Sequence, residues 1–261
     1  MNVLIMTDLE GVTGMDDAAM IQTVGSESYL RACELLMGDL NAAVEGCLDA
    51  GAERIYAVDG HGSGGFVPEL LHSAATPVSM REFARIISGR EVGAVMSVGT
   101  HAMAGTLNGF MDHTQSSARW YNYIFNGRRM GETEQIAIFA GAFGIPVTMM
   151  AGDVAACAEA REFLGNIATV GVKRGICRNR AEVYPQDECL AAIRAAAAKG
   201  ISLAAETAPF EVQLPACLEL QLCRADYCDE LCAAHPELRR VDARTVRKTV
   251  NEIRTYTDIL F

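Results

Sequence analysis

The residues whose types and spacing could do chemistry begin at the front of the chain. The stretch NVLIMTDLEGVTG, Asn2 to Gly14, is an apolar run that stops at Asp8, Leu9 and Glu10 before a loop with Gly11 and Gly14. Side chains two residues apart on a strand point the same way, so Asp8 and Glu10 can converge on one point beyond the strand end. Two like charges held that close need a proton or a cation between them, and hard carboxylate oxygens suit a divalent metal. The plainer alternative is a turn capped by Asp8 with Glu10 in solvent.

The pattern recurs along the chain. RIYAV at Arg54 to Val58 runs into Asp59, Gly60 and His61, and GAVMSV at Gly93 to Val98 runs into Gly99, Thr100 and His101. The chain has only 5 histidines, His61, His72, His101, His113 and His235, so their placement is informative. The leading constellation is Asp8, Glu10, His61, His101 and Glu132 around a metal site, with His113 beside it, because carboxylate oxygen and imidazole nitrogen are the ligands of zinc and related hydrolytic ions. That set exceeds what one tetrahedral zinc holds when a place is kept for water. It suffices for two ions if one carboxylate bridges, and Asp8, at the strand tip, is the choice. Such a pair polarises a carbonyl and activates water near neutral pH. A histidine outside the ligand set can move protons. Taken singly, each histidine could instead cap a strand end or edge the core.

The elements that must position these residues alternate. Ser26 to Ala50 has helical spacing with Ser26 as N-cap and Gly51 as stop. Strand, helix, strand then forms a crossover that puts the ends of both strands at one sheet edge, where open α/β sheets bind ligands. Helices are expected at Pro68 to Ser73 and Glu82 to Gly89, then the third strand and a small polar loop from Ala102 to Ser117. WYNYIF at Trp120 to Phe125 and Arg128 to Met130 flank Asn126-Gly127, a strong hairpin signal. A helix from Thr133 to Phe143, a strand from Val147 to Met150 and a helix to Leu164 follow. Later come a helix from Gln186 to Lys199 stopped by Gly200, a strand at Cys217 to Leu222, a helix at Ala225 to Ala234, a strand at Thr245 to Thr249, and a helical or mixed end. The expected fold is α/β: a mostly parallel central sheet flanked by helices, with a smaller C-terminal α+β portion. A soft boundary near residue 175 separates a catalytic part, 1–175, from a C-terminal part, 176–261.

Composition limits the partners. The 261 residues carry a formal charge of −11, which repels nucleic-acid backbones and anionic membranes and favours cations. No apolar run approaches the roughly 20 residues needed to cross a bilayer, and the chain opens on a strand rather than a basic-then-apolar leader. A cytoplasmic location is therefore expected. The 9 cysteines are odd in number and scattered among regular elements, which favours reduced thiols over a disulfide framework. Cys217, Cys223, Cys228, Cys232 and His235 invite a structural zinc, but their spacings fit no knuckle.

A rival reading uses the loop that carries His61. Gly60, Gly62 and Gly65 match G-x-G-x-x-G after a strand, with Glu82 at roughly the distance of a ribose-binding acid, as in an NAD-dependent oxidoreductase. Against it, the following segment meets Pro68 and Pro77, too soon for a long dinucleotide helix. The glycines serve equally to aim His61. A third reading is a small-peptide-binding module without activity.

Assembled, these motifs resemble the M55, DppA-like family of D-aminopeptidases. The matching pieces are TDLEGVTG at Thr7 to Gly14, VDGHGS at Val58 to Ser63, GTHAMAGT at Gly99 to Thr106, MDH at Met111 to His113, GE at Gly131-Glu132, AGAFGIPV at Ala140 to Val147 and AGD at Ala151 to Asp153. The resemblance covers the first two thirds of the chain in order and approximate spacing. It implies a dinuclear zinc aminopeptidase acting on short peptides with an N-terminal D-residue, such as D-Ala-D-Ala. Carried over, Asp8, Glu10, His61, His101 and Glu132 would be the zinc ligands and His113 the catalytic histidine. It also implies a ring-like homo-decamer with the active sites in an inner channel. Two departures stand out: where the family usually continues GE with a glycine and an asparagine before alanine, this chain has Glu134 and Ile136. Glu134 thereby competes for the role of Glu132, and the lost amide bears on substrate more than on metal.

Overall fold

The computed structural model describes all residues from Met1 to Phe261. In chain order the elements are β1 (Asn2–Thr7), α1 (Glu27–Asp49), β2 (Arg54–Asp59), β3 (Ala75–Val78), α2 (Met80–Ser88), β4 (Ala94–Thr100), β5 (Trp120–Phe125), β6 (Arg128–Met130), α3 (Glu132–Ala142), β7 (Val147–Asp153) and α4 (Val154–Leu164). They continue with β8 (Ala168–Cys177), β9 (Arg180–Val183), α5 (Gln186–Leu203), β10 (Ala216–Leu222), α6 (Ala225–Ala234), β11 (Arg239–Arg240) and β12 (Thr245–Val250).

The first sheet has the order β3-β2-β1-β4-β7-β8-β9, parallel throughout except for the β8–β9 pair. From β1 the chain works outward through β2 and β3 on one side, and through β4, β7 and β8 on the other. The order reverses between β1 and β4, and a crevice at such a switch point is where open α/β sheets place ligands. Thr7 is level with Asp59 on one neighbour and Val98 on the other. The loops after these three strands therefore leave the sheet side by side.

Alternation along β1 shows why an all-apolar run is needed here. Val3 and Ile5 join a core with Leu36, Leu40 and Val44 of α1 and Ile193 of α5, while Leu4 and Met6 join a second core with Phe83 and Ile86 of α2 and Phe139 of α3. A parallel strand covered on both faces has no polar side. The second sheet, β11-β12-β10-β5-β6, is antiparallel and contributes Tyr123, Phe125, Leu218 and Val250 to that second core.

Several expectations need correction. The helix expected at Pro68 to Ser73 is one 3-10 turn, Pro68–Leu70, followed by β3, an edge strand that tolerates Pro77. Gly200 does not stop α5, which runs to Leu203; a Cβ there would lie 2.9 Å from the Met96 side chain and 3.0 Å from Met149, so the glycine lets the helix lie close against the sheet. Strands β8 and β9 lie between the helix ending at Leu164 and the helix starting at Gln186, where no element was expected. The boundary expected near residue 175 falls inside β8, and β5, from before it, pairs with β10 from after it, with β6 on the far side of β5 in the same sheet.

Candidate active site

The loops that follow β1 and β4 are pressed together by backbone contact. Asp8 N donates to Val98 O at 2.9 Å and Gly11 N to Gly99 O at 2.7 Å. A Cβ at Gly99 would lie 2.0 Å from Asp8 O, and Gly99 has a φ of +77°; a Cβ at Gly11 would lie 2.1 Å from Thr100 O. Only glycine permits this approach. It sets Asp8 and His101, one from each loop, beside each other.

The His61 turn is shaped by Asp59, whose Oδ2 accepts from Gly65 N at 2.7 Å and Phe66 N at 3.2 Å, and by Tyr29, whose hydroxyl donates to Gly64 O at 2.6 Å. His113 sits on the loop before β5, held through Met111 N to Arg178 O at 2.7 Å and Phe110 N to Asp153 Oδ2 at 2.7 Å. Glu132 opens α3, and its Oε1 accepts from Gln115 N at 2.6 Å.

These side chains meet. His61 Nδ1 lies 3.4 Å from Asp8 Oδ1 and 3.2 Å from Glu10 Oε2, and His101 Nε2 lies 3.1 Å from Asp8 Oδ2 and 3.6 Å from Glu132 Oε1. His113 Nε2 is 3.9 Å from the same Glu132 oxygen, and its ring stacks on that of His101 with centroids 4.0 Å apart. All six residues singled out from the sequence are therefore in one cluster, with Asp8 directing one oxygen to each of two histidines. Glu134 is elsewhere: its Oε2 accepts from Gly131 N at 2.8 Å, and it lines a separate small cavity with Glu159. Helical geometry separates the two acids, since side chains at i and i+2 point to different faces.

The hydrogen bonds fix which ring nitrogen faces the centre. The carbonyls of Ala102 and Met111 can only accept, so His101 and His113 each donate from Nδ1, at 2.9 and 2.7 Å, and turn Nε2 inward. His101 Nε2 is buried and makes no hydrogen bond. Donors bonded to one tetrahedral zinc at about 2.0–2.1 Å lie roughly 3.3–3.4 Å apart, and the separations above bracket that spacing. The residues present fit a zinc-type centre on both counts. Two metal-competent groups emerge, Asp8–Glu10–His101 and His101–His113–Glu132; no cysteine joins either.

The electrostatics agree. Burial opposes charge on His61 and His101, yet hydrogen bonds to Asp8 and Glu10 raise the His61 pKa to about 10, and Asp8 and Glu132 hold His101 well above its ordinary value. Against burial, His101 and His61 keep Asp8 far below the usual carboxylate range, and His101 and His113 lower Glu132. Carboxylates that hold protons on the neighbouring imidazoles this strongly attract other cations too, and a metal binding here must displace those protons.

A cavity of about 1190 Å³ adjoins the cluster, with Asp8, Gly60, Thr100, Gln115, Glu132 and Ile136 in its wall. The dinucleotide reading finds no such support: only a 3-10 turn follows the glycines, and Glu82 caps α2 by accepting from Ser79 N at 2.8 Å. No helix N-terminus stands behind that loop to receive a pyrophosphate.

Sequence reasoning missed Lys173 on β8, which is fully buried and donates from Nζ to Glu10 O at 2.8 Å and Met15 O at 2.9 Å. Nothing in VGVKRG distinguishes it from a surface charge. Asp39 was missed as well; from inside α1 it accepts from Thr13 N at 2.8 Å.

Comparison with known proteins places this geometry in context. A family model described as D-aminopeptidase, peptidase family M55, matches residues 1–260. A D-aminopeptidase of Bacillus subtilis strain 168 is 29% identical over 184 residues, which span 69% of this chain and 66% of that relative, just under two thirds of its length. The solved structure of the Zn-dependent D-aminopeptidase DppA from Bacillus subtilis, a self-compartmentalizing protease, matches with a TM-score of 0.90 at 22% identity, covering 100% of this chain and 96% of that one. At that identity the structural likeness speaks for the fold.

Proposed function

This chain belongs to the M55 family of D-aminopeptidases, and from that premise we propose that it is a dinuclear zinc aminopeptidase. Its substrates are short peptides with an N-terminal D-residue, of the D-Ala-D-Ala type. The observation that carries the reading is Asp8, with one carboxylate oxygen toward His61 and the other toward His101, as a carboxylate between two ions requires.

Asp8, Glu10, His61, His101 and Glu132 would hold the two ions. When bound, zinc supplies Lewis acidity toward the scissile carbonyl and makes water more acidic. The chain's own residues do the rest. His113, whose Nδ1 proton is committed to Met111 O, has Nε2 free to take a proton and to return it to the departing amine. Its stacking on His101 and the pinned loop beneath it keep that nitrogen at the centre. The carboxylates around the cluster favour a substrate that arrives with a free ammonium group.

We further assign the chain to a ring-like homo-decamer acting in the cytoplasm. Support comes from exposed Leu107 and Ile176, neighbours where Gly175 abuts Asn108, which suit an interface between copies. The nine unpaired cysteines suit a reducing compartment. No helix is long and apolar enough to cross a membrane.

The test is hydrolysis of a panel of D- and L-dipeptides by zinc-loaded protein. Release of N-terminal D-residues is expected; no turnover on any dipeptide would refute the proposal.

A further inference from the structure

We propose that Arg81 forms a subsite for the C-terminal carboxylate of the substrate, so that the site distinguishes peptides with a free C-terminal acid from their amides. The inference rests on the aminopeptidase reading above. It starts from the cavity beside the cluster. One wall carries Asp8 and Glu132; another is the face of α2 bearing Arg81, Ala84, Arg85 and Ser88, one helical stripe. Arg254, from the segment after β12, lines the cavity too.

The three guanidinium groups are not equivalent. Arg85 is engaged by Glu91 and Arg254 by Glu252. Arg81 has no acidic partner and no side-chain hydrogen bond. The neighbouring acid, Glu82, is committed to Ser79 N and Oγ. A chain of net charge −11 thus exposes an uncompensated cation to a cavity whose other acids belong to the metal cluster. An acidic pole and a basic pole in one cavity complement a zwitterion, and a guanidinium fork matches a carboxylate in a bidentate pair.

Size sets the length. A sphere of 1190 Å³ is about 13 Å across, and two or three extended residues span roughly 7–10 Å. A peptide of that length fits within the cavity that both Arg81 and the cluster line; a longer one must leave it. The apolar side chain of Ile136 in the same wall suits small aliphatic residues between the poles.

The experiment compares kcat/KM for D-Ala-D-Ala and for D-alanyl-D-alaninamide, which differ only in the terminal charge, in the wild type, Arg81→Ala and Arg81→Lys. The wild type is expected to prefer the free acid by about 10- to 100-fold, the worth of one charge-assisted pair. Arg81→Ala should bring the two within about 3-fold, mainly through a higher KM for the acid, with the amide unchanged, and Arg81→Lys should recover part of the preference. Equal wild-type rates on acid and amide, or an equal loss on both in Arg81→Ala, would overturn the subsite while leaving the aminopeptidase reading standing. No turnover of either peptide, or of a D-alanine anilide, overturns that reading and the subsite with it.

Discussion

The ammonium of Lys173 lies 2.8 Å from the carbonyl oxygen of Glu10 and 2.9 Å from that of Met15, out of contact with solvent and 4.7 Å from the centre of the Phe110 ring. It ties β8, three strands from β1 in the sheet, to the loop that carries Asp8 and Glu10. A lysine is rarely buried this fully, and here burial lowers its pKa to about 7 although Asp39, Asp153 and Glu10 oppose that shift.

Lys173→Met keeps the volume but leaves two buried carbonyls without donors, each costing about 1–3 kcal/mol. Urea denaturation should show a loss of roughly 3 kcal/mol, and the folded variant should bind zinc more weakly in a chelator competition. Unchanged stability and zinc affinity would mean that the loop is set without the lysine.

Gly99→Ala places a Cβ 2.0 Å from Asp8 O at a backbone angle that L-residues avoid. The Asp8 loop must lift away from β4. The expected outcome is a loss of about 3 kcal/mol or more together with the loss of one or both metal ions, read by thermal unfolding and metal analysis. A variant of wild-type stability and metal content would contradict the packing described here.

Glu159, which accepts from Met103 N at 3.0 Å and from the Thr106 hydroxyl, gives a pH signature. Burial raises its pKa from the ordinary 4.5 to about 7, with Glu134 adding to the rise. The folded chain then holds this proton where the unfolded chain has released it. Its contribution to stability is complete below about pH 4.5 and is lost as pH rises through 7. The shift is worth about 3 kcal/mol. Glu159→Gln should flatten the stability profile between those values, and a wild-type-minus-variant difference with no slope there would refute the assignment.

How much of this was legible in the sequence depends on which forces decide each feature. Asp8, His61 and His101 could be brought together on paper because parallel strands in register end at one edge, so residues just past the apolar runs must be neighbours. Glu132 against Glu134 could not be settled by composition; it took the backbone N–H of Gly131 to claim Glu134. Lys173 was invisible because a charged residue on a strand reads as solvent-facing until both faces of the sheet are known to be covered. The pairing of β5 with β10 joins segments about a hundred residues apart and leaves no local trace. Gly200 carried the usual sign of a helix stop, yet tight packing against Met96 and Met149 overrode it.

His113→Ala separates catalysis from metal binding. If His113 moves the proton, kcat should fall about 100- to 10,000-fold with zinc content retained, since the other five side chains remain. Full activity would remove it from the mechanism, and loss of one ion would instead make it a ligand, a role its place in the His101–Glu132 group allows.

In the proposed centre, acids and imidazoles from the loops after β1, β2 and β4 and from the start of α3 grip a pair of ions. Zinc analysis of protein purified without chelator, followed by chelator treatment and stepwise zinc addition while D-Ala-D-Ala hydrolysis is followed, tests it most directly. Two ions per chain, with activity lost on chelation and restored as the second equivalent is added, is the predicted result. Fewer than one ion per chain with no activity recovered on adding zinc, or undiminished activity after chelation, would contradict it.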